Sequence, residues 1–329
     1  MPSSYILSLD FIGQQITIYW GISIMIAGSL GESLNIIIFL SLQTFRQSSC
    51  AFYLTMMSMV NICQLLSGLL SRIMTNGYGI DWSLTSAFYC KFRFYLYHVS
   101  AMTSSSCLCL AVIDQYLATS ASPRWQRWPS IKIAHRLTIV AFFIWIGYNI
   151  PALIYNDYIV SATTRKPVCI ITNIPYSQFN NYINRFAFGK LLPICVTCIF
   201  GILAFRNVKQ MGHRALPVIR RALDQQLTVM VLLQAVAMLI TNVPYIIAYL
   251  LQLSPDLASN EETAAEIRLM ISVTVCLLYM SFAVSIMTEK FFLLIFISIF
   301  HIFRHHSMSI VVHQIDFVGN WDMYFLVSI

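Results

Sequence analysis

Lys190 stands three residues before Pro193, inside a long run of mostly apolar residues. An ammonium group at that depth in an apolar run is costly and by default marks a functional site. Residues three apart share nearly one helix face, so Lys190 and the break at Pro193 face the same way. Lys91 and Arg93 fall near the same level of another apolar run, and Arg185 lies five residues before Lys190 in the same run. A carboxylate on a ligand, such as a peptide terminus or an acidic side chain, is the natural partner for such groups, because charge-assisted hydrogen bonds are short and strong. Two other readings stay open: the long side chains snorkel to an interface, or they close structural ion pairs. Helical spacing puts Tyr97, Phe186 and Tyr245 on the wall of the same cavity, where aromatic rings also serve plain packing.

No catalytic constellation accompanies these residues. The sequence has no His/Glu spacing for a metal, no clustered triad and no glycine-rich phosphate loop. The chain is therefore not expected to be an enzyme, and no metal or cofactor is expected. The formal net charge is +7. The basic residues are distributed loop by loop, which makes them topology signals rather than a nucleic-acid footprint.

The elements that must position these side chains follow from composition. The chain has 329 residues, of which 58% are hydrophobic and 10% charged. A soluble domain carries roughly 25% charged residues, so this surface needs lipid as its solvent. A span takes about 20 mostly apolar residues. Runs of that kind lie at 16–42, 51–73, 88–118, 135–155, 182–205, 227–253 and 267–287. They predict an all-α membrane protein, a seven-transmembrane helix bundle forming one domain over 1–329. A shorter apolar stretch at about 289–303 predicts an amphipathic surface helix after the seventh span, followed by an irregular tail at 305–329. The first run has no basic leader, its first Lys or Arg being Arg46, and is read as a true span rather than a signal peptide.

Basic residues cluster after the first, third and fifth runs, including Arg46, Arg124, Arg127, Arg206, Lys209, Arg220 and Arg221. By the positive-inside rule that side is cytoplasmic and the N-terminus is extracellular. Arg72 and Arg268 are counted with the loops of the opposite side. Cys90, at the outer start of the third run, and Cys169, in the outer loop after the fourth, both face an oxidising compartment. A disulfide between them would pin that loop across the mouth of the bundle; two unpaired thiols are the alternative. The other cysteines sit inside runs or, like Cys50, at the reducing edge.

At this point the residues resemble the rhodopsin-like (class A) G-protein-coupled receptors. Trp82 shortly precedes Cys90. Asp114-Gln115-Tyr116 closes the third run, with Gln115 lying 25 residues after Cys90, as in the family's Asp-Arg-Tyr signature. Trp145 and Pro151 mark the fourth run, Pro193 the fifth and Pro244 the sixth. The resemblance extends from Gly31 to about Ser285. It implies a plasma-membrane receptor that passes an extracellular signal to a heterotrimeric G protein. Tyr97 occupies the place of the Asp that amine receptors use, and the seventh run has no Lys for retinal. A neuropeptide or other carboxylate-bearing ligand is therefore expected at Arg93, Tyr97, Arg185, Lys190 and Tyr245.

The departures from the family pattern carry their own expectations. The first run reads Gly31-Glu32 where the family has Gly-Asn, and the second has Asn61 where the family has an acid. Glu32 and Asn61 are expected either to form one buried polar pair or to leave Glu32 protonated on backbone. Gln115 replaces an Arg, so the restraint on Asp114 and on the resting state is expected to be weaker. Asn242 stands two residues before Pro244, where the family has Trp; it is expected to bond carbonyls freed by the kink or to cross to another helix. After Ser285 the family's Asn-Pro-x-x-Tyr ending is missing. Activation and coupling are assigned to Asp114, Gln115, Tyr116, Asn242, Pro244, Arg220 and Arg221. The basic inner loop also attracts anionic lipid head groups of the bilayer. A multi-pass transporter or channel, and a folded receptor relic impaired in signalling, are the competing readings.

Overall fold

The computed structural model describes residues 4–84, 86–160, 167–211, 218–254, 257 and 260–283. They contain seven helices long and apolar enough to cross a membrane: α1 (Ser4–Ser41), α2 (Ser49–Gly77), α3 (Ala87–Thr119), α4 (Ile131–Tyr155), α5 (Ile174–Gln210), α6 (Gln225–Gln252) and α7 (Glu261–Ala283). The shortest has 23 residues and the longest 38. Each meets the length of about 20 that a bilayer demands. Apolar side chains point outward all along them: on α4, Val140 is 54% exposed, Phe143 64% and Ile144 56%. Such a surface is matched by acyl chains and not by water. The chain is a multi-pass membrane protein.

Several helices begin earlier than the apolar runs, and in α5 and α7 the added first turns are polar enough to escape a hydropathy reading. The first helix starts at Ser4 rather than at residue 16. Helix α5 starts at Ile174 rather than 182: Pro175 suits a first turn, and Asn173 Oδ1 accepts the Tyr176 N–H at 2.9 Å. Helix α7 starts at Glu261 rather than 267, with two glutamates in its first turn and Asn260 Oδ1 accepting from Glu262 N at 3.0 Å. The sixth helix reaches back to Val218. The surface helix at 289–303, the tail at 305–329 and the ending after Ser285 lie outside the described residues.

Two strands were not foreseen in an all-α reading. β1 (Asn156–Val160) and β2 (Pro167–Ile171) pair antiparallel in the loop between α4 and α5. Tyr158 is opposite Cys169.

Helix α3 runs through the centre, against α2, α4, α5 and α6, while α1 packs on α7 and α2. The α1–α7 contact depends on Gly28, where an added Cβ would come within 2.7 Å of Ala283 Cβ and 2.9 Å of Leu65. Small residues at such crossings let membrane helices approach. The apolar core lies toward the end of the bundle opposite the N-terminus, around Phe39, Tyr53, Leu54, Leu108, Val112 and Leu227. The end that holds the N-terminus is called outer below.

Prolines shape α4, α5 and α6. Pro151 interrupts α4; the chain turns at Asn149, whose Nδ2 donates to the Trp145 carbonyl at 2.8 Å. Ahead of Pro193, α5 is wound as a wide π-helix over Asn180–Leu191. In α6, Pro244 lies inside the helix. It has no N–H for the carbonyl of Ile240.

Candidate functional site

The outer half of the bundle encloses a cavity of about 290 Å³ between α2, α3, α5, α6 and α7. The sequence-predicted residues Arg93, Tyr97, Arg185, Lys190 and Tyr245 all line it. Phe186 does not, although helical spacing placed it there. The reason is the winding of α5. In an α-helix, residues five apart are separated by about 140° around the axis. The i→i+5 bonds of a π-helix advance fewer degrees per residue. Over Asn180–Leu191 this brings Arg185 and Lys190 to one face, toward the cavity.

Aromatic faces receive the cations. The Lys190 ammonium lies 5.6 Å from the Tyr245 ring centre, and the Arg185 guanidinium 5.7 Å from that of Tyr249. The two tyrosine rings stack at 5.9 Å, one turn apart on α6. Arg93 stacks on its neighbour Phe94 at 4.8 Å. Cation–π contact offsets part of the cost of a charge held without a carboxylate. Among the described residues, no Asp or Glu lines this cavity. Lys91 behaves differently: it reaches Asp157 of β1 at 3.7 Å, half-exposed, and takes no part in the cavity.

A disulfide joins Cys90, at the start of α3, to Cys169 on β2, with Cα atoms 5.9 Å apart. It fixes the hairpin of the outer loop to the third helix. The rim is tied further by Arg268 of α7, which makes two 3.0 Å bonds to the Asp10 carboxylate of α1.

The sequence reading missed several lining residues. Arg72, counted there as a loop charge, lies in α2 at membrane depth and lines the cavity. Its position at the end of the apolar run 51–73 was the available signal. Gln64, His98 and Tyr279 also line it. Gln64 is fully buried, and neither atom of its amide has a partner. Tyr97 and Tyr279 close over Gly68, where an added Cβ would fall on the Tyr279 hydroxyl and lie 2.8 Å from the Tyr97 ring.

Below the cavity a polar chain crosses three helices. Asn61 Nδ2 donates to Glu32 Oε1 at 2.8 Å, and Ser104 Oγ donates to Asn61 Oδ1 at 2.6 Å. Asn35 Nδ2 approaches Glu32 Oε2 at 3.4 Å and Ser58 Oγ at 3.5 Å. Glu32 is thus held by side-chain amides. A small cavity of about 30 Å³ adjoins this chain, lined by Asn61, Ser104, Gln234, Asn242 and Ser281 among others. Asn242 stays on its own helix. Its Nδ2 donates to the Met238 carbonyl at 2.6 Å, not to Ile240, the carbonyl that Pro244 deprives of a donor.

At the inner end, Ser49 Oγ of α2 donates to Asp114 Oδ2 at 2.8 Å. Thr228 Oγ1 of α6 donates to Gln115 Oε1, also at 2.8 Å. The Tyr116 carbonyl accepts from Asn207 Nδ2 of α5 at 3.3 Å, and its ring lies 5.5 Å from that of Phe200. Hydrogen bonds donated by side-chain hydroxyls and an amide therefore tie α3 to α2, α5 and α6. Arg220 and Arg221 lie in the helix Val218–Gln252. Their side chains are outside the described residues.

Comparison with known proteins agrees with this architecture. Residues 32–285 match the family described as 7 transmembrane receptor (rhodopsin family). A stretch of 137 residues, 40% of this chain, is 27% identical to G-protein coupled receptor 182 of Homo sapiens and covers 32% of that protein. The match thus spans about a third of the relative's length. Seven spans, the disulfide from the third helix to the outer loop and a family match over most of the chain lead to one assignment: this chain belongs to the rhodopsin family of seven-transmembrane receptors.

Proposed function

We propose that the chain is a plasma-membrane receptor that binds an extracellular carboxylate-bearing ligand, such as a peptide with a free terminus, and passes the signal to a heterotrimeric G protein. The observation that carries the ligand reading is Lys190. It faces an outer cavity, is stacked on Tyr245, and has no carboxylate beside it among the residues that line that cavity. A ligand carboxylate would form a charge-assisted bond there in place of the weaker contact with the ring. We read Asp114-Gln115-Tyr116 as a variant of the family's Asp-Arg-Tyr signature, with the inner ends of α3, α5 and α6 as the G-protein surface.

The proposed mechanism is a shift between two arrangements of the bundle. Tyr245 directly follows Pro244, so the ring that holds Lys190 sits at the hinge of α6. Drawing Lys190 toward a ligand releases that ring. The inner end of α6 then swings away from α3, which breaks the Thr228–Gln115 bond.

The test is expression with a promiscuous G protein and a screen of peptides with free C-terminal carboxylates against their amidated counterparts. The expected result is a response to free acids that is at least tenfold weaker with the amides and in Lys190→Gln. Absence of any response together with measurable solute flux would overturn the receptor reading.

A further inference from the structure

The cavity described above has a neighbour. A second space of about 500 Å³ lies on the α1 and α7 side of the outer half. The two share a wall made of Arg72, Asn76, Arg185, Tyr245 and Val275. Of these two spaces, Lys190 and Arg93 line the first and not the second, whereas Arg72 and Arg185 line both. The cations therefore fall into two groups, one in the first space and one at the wall that the two spaces share.

Arg72 is the unexplained member. Its Nε is buried and has no hydrogen-bond partner. A guanidinium carries five N–H donors in a fixed fork that matches a carboxylate in two-point fashion. The acids of the second space do not serve it: among the described residues, Asp10 is the one carboxylate that lines it, and Asp10 is held by Arg268. Gln64 adds a buried, unpartnered amide on the first-cavity side of the same helix. A guanidinium with a buried, unmet Nε–H at a shared wall is arranged for a group supplied from outside.

We propose that Arg72 and Arg185 form a second anion subsite at this wall, with Asn76 beside them, and that the ligand carries at least two separate acidic groups. This rests on the reading of the outer cavity as the ligand site. One carboxylate is held near Lys190. The other reaches the wall and pairs with the Arg72 fork. A peptide with an acidic side chain and a free terminus has this chemistry, and so does a small dicarboxylate. A ligand with one acidic group leaves the wall unpaired and binds more weakly.

The test uses the full chain in phosphatidylcholine nanodiscs and simple probes. Thermal unfolding is followed in titrations of acetate and of glutarate at fixed pH and ionic strength. Glutarate is expected to raise the midpoint at concentrations at least tenfold below those acetate needs. Arg72→Gln is expected to remove that advantage and leave the acetate titration in place. Lys91→Gln, outside both cavities, is expected to change neither. Should Arg72→Gln not fold, Arg72→Lys reads the same point, because an ammonium keeps the charge and loses the fork; a several-fold smaller advantage is expected. Equal titrations of acetate and glutarate in the native chain, or an undiminished advantage in the Arg72 variants, would overturn the second subsite. An acetate response that survives Lys190→Gln would instead count against the carboxylate reading of the first cavity.

Discussion

The outer and inner halves of this bundle are held together in different ways. The outer half is hollow and carries cations from α2, α3 and α5 around its cavities. It is closed at the rim by a disulfide and by the Arg268–Asp10 pair. The inner half is filled by apolar side chains and tied by hydrogen bonds between neutral partners or from a hydroxyl to a carboxylate. A binding end needs space and unmatched charge, both of which cost stability. A switching end needs bonds strong enough to define a resting state and weak enough to break. The covalent bridge stands where packing has been given up, and the soft ties stand where packing is dense.

The largest expected effect tests the covalent half of that contrast. Cys90–Cys169 closes a loop with a sequence separation of 79 residues. A loop of that length corresponds to about 4.5 kcal/mol by the chain-entropy account. Cys169→Ser should lower the thermal midpoint of the purified receptor and abolish the ligand response. A midpoint unchanged from the native chain would mean that the outer half is held by its helices alone.

Next comes a truncation in the packed half. Leu54 is 1% exposed in the inner core. Leu54→Ala leaves a cavity there and should cost about 2–5 kcal/mol. The paired measurement is Lys190→Gln, which removes a charge from the hollow half. It should leave the midpoint unchanged or raise it, while ligand potency falls at least tenfold. If Lys190→Gln destabilises the fold as much as Leu54→Ala does, the outer cations are structural and the contrast fails.

How much of this was legible in the sequence differs between the halves for a physical reason. Hydropathy and the positive-inside bias report the solvent of each segment, so the seven spans and the pairing candidates Cys90 and Cys169 were readable. Arg93, Arg185 and Lys190 were readable as cavity residues because depth in the membrane makes charge conspicuous, and Tyr97 and Tyr245 because helical spacing puts them beside those charges. Arg72 was not, since an Arg at the end of an apolar run reads as a loop residue. Phe186 was misplaced because nothing in a sequence announces twelve residues of π-helix. Gln64 escaped because a polar residue inside a span is informative only once its lack of partners is seen. Thr228 and Ser49, which bond Gln115 and Asp114, come from other helices and carry no charge to mark them.

A smaller effect is expected at the junction of the two halves. Asn61 accepts from Ser104 and donates to Glu32, so it joins α1, α2 and α3. Asn61→Leu strands both partners in a buried place and should cost about 1–3 kcal/mol. Glu32→Gln keeps an acceptor oxygen at the same position and should cost less than about 1 kcal/mol. Thermal unfolding of the two variants side by side decides the point. An equal loss in both would show that the charge of Glu32, and not its hydrogen bonding, is what the junction uses.

The smallest effect is the one that bears most directly on signalling. The Thr228–Gln115 bond is neutral, 2.8 Å long and ties the inner end of α6 to that of α3. A bond of this kind contributes a net of about 0.5–1.5 kcal/mol. Thr228→Val keeps the shape and deletes the donor. If the bond belongs to the resting arrangement alone, its loss shifts the two-state balance by at most about tenfold. Basal G-protein signal without ligand should rise by that order, while the thermal midpoint moves little. Gln115→Arg should change the same readout through the same contact, since an Arg offers donors where Thr228 now meets an acceptor. A basal signal that is the same in the native chain, Thr228→Val and Gln115→Arg would mean that the bond exists in both arrangements. The inner half would then be packed without being poised, and the softness assigned to it would have to lie in the α6 hinge at Pro244.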